Sequence, residues 1–190
     1  MSAKIVLHVR RFVEQVRFAK RSFKKQVFCL KQSQNKGAKM SDRKDQILTK
    51  KEELKIYDGV SSEIFAGGLP RVTLLFAATS HANVGAALVS FPKGVRTAWH
   101  THPAGQNLIV TKGKIYTGTA SGVVQIARVG DVVLCPPDVK HWHGAGLDEG
   151  GEHIAVTFEK DGRNVVWLEH LSQDEYENFV KLANERENDI

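Results

Sequence analysis

From residue 71 to residue 168 the chain is a succession of short runs rich in Val, Ile, Thr and Phe, each stopped within a few residues by Gly, Pro or Asp. This punctuation constrains the fold more than any other feature. Runs of that length, enriched in β-branched residues and bounded by turn formers, read as strands rather than helices. Strands are expected over 71–77, 83–91, 97–102, 106–112, 114–120, 123–129, 131–135, 141–144, 153–158 and 165–168. Many short strands with turns between them predict an all-β sandwich or barrel. The Asp161-Gly162 pair is a hairpin signal between two of the runs. The pattern changes at Ser172, where a Glu three residues later makes a capping-box signature. A helix is predicted from there over about 173–184, with Tyr176, Phe179, Val180 and Leu182 among its apolar positions.

The ends of the chain differ in charge. Residues 1–39 carry eleven of the 27 Lys and Arg and one of the 21 acidic residues, Glu14, which leaves 16 basic against 20 acidic residues from Met40 onward. The net +6 therefore belongs to the leader, and the mildly acidic body offers no basic nucleic-acid surface. Within the leader, Ile5, Val9, Phe12, Val16, Ala19, Phe23 and Val27 recur at helical spacing among Arg and Lys. A targeting peptide, a membrane-surface helix, a partner-binding helix and an extension upstream of a start at Met40 all fit this pattern. Residues 1–39 are accordingly read as a basic extension, helical or disordered. Residues 40–190 are read as one domain, with the barrel over about 55–171. No run reaches membrane-span length, and Cys29 and Cys135 give no disulfide framework, so a cytoplasmic protein is expected.

Chemistry is concentrated in the histidines. His100 and His102 lie two apart, so on a strand they leave the backbone on one face and can reach a common ion. Gln106 adds an oxygen four residues later, and His141 can close the set from a neighbouring strand. Three imidazoles and an amide suit Mn, Fe, Ni or Zn better than Ca or Mg. His143 shares a strand face with His141 and fits a substitute ligand, an acid or base, or a partner that orients a ligand. If His153 begins an inward series with Ala155 and Thr157, its imidazole enters the barrel. Trp99 and Trp142 flank the histidines and are expected on the opposite strand face, in a core or a dimer interface.

Two blocks extend this spacing. Gly94, His100, His102, Gln106 and Gly113 resemble the first cupin motif, Gly-x5-His-x-His-x3-4-Glu-x6-Gly. Gly130, Pro136, Asp138 and His141 resemble the second, Gly-x5-Pro-x-Gly-x2-His. The chain departs twice, with Gln106 where Glu is usual and Asp138 where a turn Gly is usual. Asp tolerates a left-handed turn better than most residues. The neutral Gln leaves the ion its full charge, which favours an anionic bound group.

The wording around His100 and His141 is similar to small single-domain cupins that include manganese-dependent hydroxynitrile lyases, and to cupins found beside carboxymuconolactone decarboxylases. The resemblance spans about 55–171. It implies an RmlC-like jelly-roll barrel with a short C-terminal helix, and a divalent metal, manganese foremost, on His100, His102, Gln106 and His141. It also implies His153 as base, with His143 beside it, and Ala87 and Val89, with Thr157, lining the cavity. A small-molecule substrate and a homodimer or homotetramer are expected, the contact falling on exposed residues around 72–76. Besides a lyase, an Fe(II) dioxygenase and a non-catalytic metal-stabilised binding module fit the same scaffold.

Overall fold

The structure is a computed structural model and describes residues 45–58 and 62–188. The leader, including Cys29 and its predicted helix, lies outside the described residues. Twelve strands are present: β1 Lys55–Asp58, β2 Phe65–Ala66, β3 Arg71–Phe76, β4 Val84–Phe91, β5 Arg96–Thr97, β6 His100–Thr101, β7 Gln106–Thr119, β8 Val124–Arg128, β9 Val132–Cys135, β10 His141–Ala145, β11 Gly151–Phe158 and β12 Val166–Trp167. One helix, α1 Gln173–Asn188, follows.

The longest strand organises the rest. The first half of β7 pairs antiparallel with β11 and β9, and its second half pairs with β10 and β8. Two runs expected as separate strands are thus one strand that crosses from one sheet to the other. Gly113 sits at the crossing with φ 61°, and a Cβ there would strike the Gly150 carbonyl oxygen, so glycine is required by both conformation and space. The first sheet has the order β1-β3-β4-β11-β7, with β9 beyond. The second holds β2, β5, β10, β7 and β8, with β6 and β12 at its end. This is the jelly-roll barrel that the resemblance implies, within the all-β sandwich or barrel expected from the strand pattern.

Local differences have local causes. The expected strand over 97–102 is two short strands, because Ala98 and Trp99 take their backbone partners from Ile64 and Glu169 instead of a ladder. The Asp161-Gly162 turn forms, with φ of 54° and 69°, but supports only the isolated bridge Lys160–Arg163. β1 and β2, unnamed from the sequence, are short additions to the sheet edges. β1 covers the edge of β3 over Arg71–Leu74 and Val72 packs on the core, while Phe76 stays exposed.

Two apolar clusters hold the barrel. One gathers Phe65, Val89, Phe91, Val95, Val110 and Ile115 between the sheets. The other lies outside the second sheet, where Tyr176, Val180 and Ala183 of α1 cover Trp99, Trp142, Tyr116 and Val124. Trp142 stacks on Phe179 with centroids 5.7 Å apart, so both tryptophans are core residues beneath a helix. The capping box forms, with Glu175 N donating to Ser172 Oγ at 3.2 Å and Ser172 N to Glu175 Oε2 at 2.9 Å. The helix continues past 184 because Tyr116 Oη donates to Asn184 and Arg128 pairs with Glu187. Arg96, buried, ties the helix entrance to β5 by donating to Gln173 Oε1 and the Leu171 carbonyl.

Candidate metal centre

The sheet ladders bring the histidines together from distant parts of the chain. His100 and His141 are direct partners between β6 and β10, and His143 lies opposite Thr117 of β7. On the first sheet His153 of β11 lies opposite Val89 and Val110, and Thr157 lies opposite Gln106. Inward alternation along β10 and β11 points these side chains into the space between the sheets. His100, His102, Gln106, His141, His143 and His153 are all buried, none more than 5% exposed.

Ring orientation is fixed from behind. The Nδ1 atoms of His100 and His141 each lie 2.9 Å from a backbone carbonyl, Ala98 and Val139 respectively, and His102 Nδ1 bonds the Asn164 carbonyl. A carbonyl only accepts, so each of these nitrogens carries the proton and each Nε2 presents a lone pair. His141 Nε2 lies 3.4 Å from Gln106 Oε1, while Gln106 Nε2 donates to Thr157 Oγ1 at 3.2 Å. His102 Nε2 is buried with no hydrogen-bond partner. An orphaned basic nitrogen inside a protein needs a partner, and a cation supplies one without a proton. The donor set therefore fits a divalent ion of borderline softness.

A close grouping of donor atoms shares His100 and His141 with the sequence-based set and brings in His143. Donor atoms of His100, His141 and His143 lie within 4.8 Å of one another. His102 stands beside them, its ring centroid 5.1 Å from that of His100 and 5.4 Å from that of His141. His143 also touches His153, with Nδ1 of the first 3.1 Å from Nε2 of the second, so one ring donates to the other. His153 is fully buried against Phe91, centroids 5.5 Å apart, and its Nδ1 has no partner.

Burial keeps the whole cluster neutral. It pushes His102 down to about 4 and His153 down to about 3. Burial, followed by the neighbouring rings, holds His100 and His143 well below the ordinary imidazole range, and burial lowers His141. Neutral imidazole is the form that ligates a metal or accepts a proton. Cys135, half-buried on β9, lies 3.3 Å from His141 Nδ1, and burial pushes its thiol up to about 11, so it is no activated nucleophile. His81 and His170 are exposed.

Ala87 and Val89 lie on β4 opposite Ala155 and His153, which places them along the same wall, Val89 within the core cluster. The Asp138 turn has φ 61°, the left-handed conformation expected of the residue standing in for glycine. Two signals were not read from the sequence: the Asn164 carbonyl behind His102, and the contact between Cys135 and His141. The first has no spacing signature because it arises where segments far apart in the chain meet; the second is made across the turn between β9 and β10, by residues six apart.

A jelly-roll barrel with inward histidines on facing strands defines the class of double-sheet β-barrel proteins with an interior polar site. The cupin domain family matches residues 87–156. An (R)-mandelonitrile lyase of Granulicella tundricola is 44% identical over 109 residues, covering 57% of this chain and 83% of the relative. A cupin-like protein of Thermotoga maritima is 36% identical, with a TM-score of 0.61 over 66% of this chain and 96% of that one. A cupin-2 domain protein of Rhodospirillum rubrum shares the fold at 12% identity, with a TM-score of 0.52 over 70% of this chain and 86% of that one. The chain belongs to the cupin family.

Proposed function

We propose that the chain is a metal-dependent lyase that splits the carbon–carbon bond of an α-hydroxynitrile into a carbonyl compound and hydrogen cyanide. The observation that carries this reading is the set of imidazoles with Nδ1 pinned to carbonyls and Nε2 left free, beside a neutral His143–His153 pair. Similarity to a mandelonitrile lyase at 44% identity supports the choice of reaction. His100, His102, Gln106 and His141 hold the ion, with manganese the leading candidate. When bound, the ion supplies Lewis acidity toward a hydroxyl oxygen and stabilises negative charge there.

The chain's own groups do the proton work. The neutral His143–His153 pair takes the substrate hydroxyl proton, through His153 as the base. The electron pair of the C–CN bond leaves with cyanide, the carbonyl forms, and the same pair returns the proton to give HCN. No oxidant enters, and atoms and charge balance. The buried walls exclude water from the reacting groups.

Turnover of a racemic cyanohydrin panel by the manganese-loaded chain tests the reading, with metal content measured in parallel. His153→Gln should cut kcat about 10² to 10⁴-fold, the usual worth of a general base, at unchanged metal content. Full activity in that variant would remove His153 from the reaction. A second ligand set, with His143 replacing His102, draws on the closer grouping of His143 with His100 and His141.

The chain also pairs with a second copy in this reading. On the outer face of the first sheet the rows Thr73–Leu88–Ile154–Ile109–Val132 and Phe76–Ala86–Val156–Asn107–Leu134 run across five strands. Leu134 is 70% and Val132 54% exposed. At strand spacings of ~4.8 Å and ~3.3 Å per residue the face offers on the order of 500 Å² per copy. Two such faces reach the roughly 1,000 Å² that a specific interface needs. Leu134→Glu should convert the dimer to monomer in light scattering, and a monomeric parent chain would refute the pairing.

A further inference from the structure

A cavity of about 60 Å³ opens beside the histidines where β8 and β9, unpaired with each other, leave a gap between the sheets. Its rim is exposed at Gln125, its walls are Leu108, Val133 and Val139, and its inner end is Thr117 and His141. Leu108 and Val133 are register partners across β7 and β9, and Thr117 is the register partner of His143. The space therefore runs from solvent to the ring whose Nε2 faces Gln106.

The chemistry of the walls restricts an occupant. No charged side chain lines the cavity. The Thr117 hydroxyl donates to the Trp142 carbonyl at 3.1 Å, and the Thr119 hydroxyl is bonded to Ser121 at 2.8 Å, so both are engaged. Gln125 at the rim, Cys135 and His141 also line the space, and the walls between them are the hydrocarbon of Leu108, Val133 and Val139. Size restricts it further, since a cavity that takes benzene measures roughly 150 Å³, or about 25 Å³ per carbon. On that scale 60 Å³ accommodates two or three heavy atoms.

We propose that this cavity receives the substituent on the substrate's carbinol carbon and selects short alkyl groups, up to about three carbons, over a phenyl ring. The proposal rests on the lyase reading for the identity of the substrate, and narrows it to aliphatic hydroxynitriles. Val133 and Leu108 set the limit from the two sides.

The test uses the full chain loaded with diamagnetic zinc, with methyl-labelled Leu and Val, titrated with two neutral carbonyl probes, butanone and acetophenone. Butanone should shift the Leu108, Val133 and Val139 methyl signals saturably. Acetophenone should act on them at least about ten-fold more weakly. Val133→Ala should close that difference several-fold, and Val133→Phe should abolish the butanone shifts while thermal unfolding and metal content stay at parental values. Equal affinity for acetophenone at the same methyls overturns the size limit. Unmoved methyls with zinc bound overturn the subsite while leaving the metal centre intact. If no metal binds, the lyase reading fails, and the same titration on the metal-free chain still decides what the cavity accepts.

Discussion

Acidification of the metal-free protein should unfold it from the inside. The cluster packs five neutral imidazoles in a buried space, and two of them, His102 and His153, are held at about 4 and about 3 instead of the ordinary 6.5. A histidine with a lowered folded value binds fewer protons in the folded than in the unfolded state, so stability rises with pH between the two values. Its contribution is complete above pH 6.5 and is lost as pH falls toward 4 and 3. Going from pH 7 to pH 5 removes about 2 kcal/mol for each of these two groups at 1.36 kcal/mol per unit, about 4 kcal/mol together. His100, His141 and His143 shift in the same direction and add to the loss. A domain holds only about 5–15 kcal/mol in total. With a urea slope near 2 kcal/mol per molar, the unfolding midpoint should fall by about 2 M. Urea titrations followed by tryptophan fluorescence at pH 7, 6 and 5 measure it directly. A midpoint that moves by less than about 0.5 M, a loss of only ~1 kcal/mol, would show that the imidazoles are solvated or already charged in the fold.

Three other outcomes follow from the same geometry. Manganese at about a hundred times its Kd should add about 2.7 kcal/mol to unfolding, and His100→Ala or His141→Ala should abolish that gain. Comparing His102→Ala with His143→Ala by metal analysis separates the two ligand sets, since only the true ligand loses the ion. Gly118→Ala should lower Tm, because a Cβ there would lie 2.6 Å from Trp142 Nε1, inside the tryptophan that α1 covers. Overpacking of this kind costs about 1–3 kcal/mol, or roughly 5 °C on a thermal scan at 2–4 °C per kcal/mol, and an unchanged Tm would mean that the ring shifts freely.

The sequence by itself determined the class of fold and named six polar residues that the structure buries together. Short β-branched runs cut by Gly, Pro and Asp dictate strands because side-chain shape and turn conformation are local properties. The Ser172 and Glu175 spacing dictated a helix start for the same reason, and the left-handed φ of 61° at Asp138 was legible from the residue type and its place in the motif. The separations among Gly94, His100, His102, Gln106, Pro136 and His141 were legible because motif positions survive as spacing. Tertiary structure decided what spacing cannot carry. It made one continuous strand of 106–119 by bending it at Gly113, and it laid α1 over Trp99 and Trp142. It brought donor atoms of His143 within 4.8 Å of those of His100 and His141, and it set the Asn164 carbonyl of a distant segment behind His102. Which imidazole nitrogen faces the centre depends on the group behind the ring; for His100 and His141 that group is a carbonyl two residues back, but for His102 it arrives only when segments far apart in the chain are packed side by side.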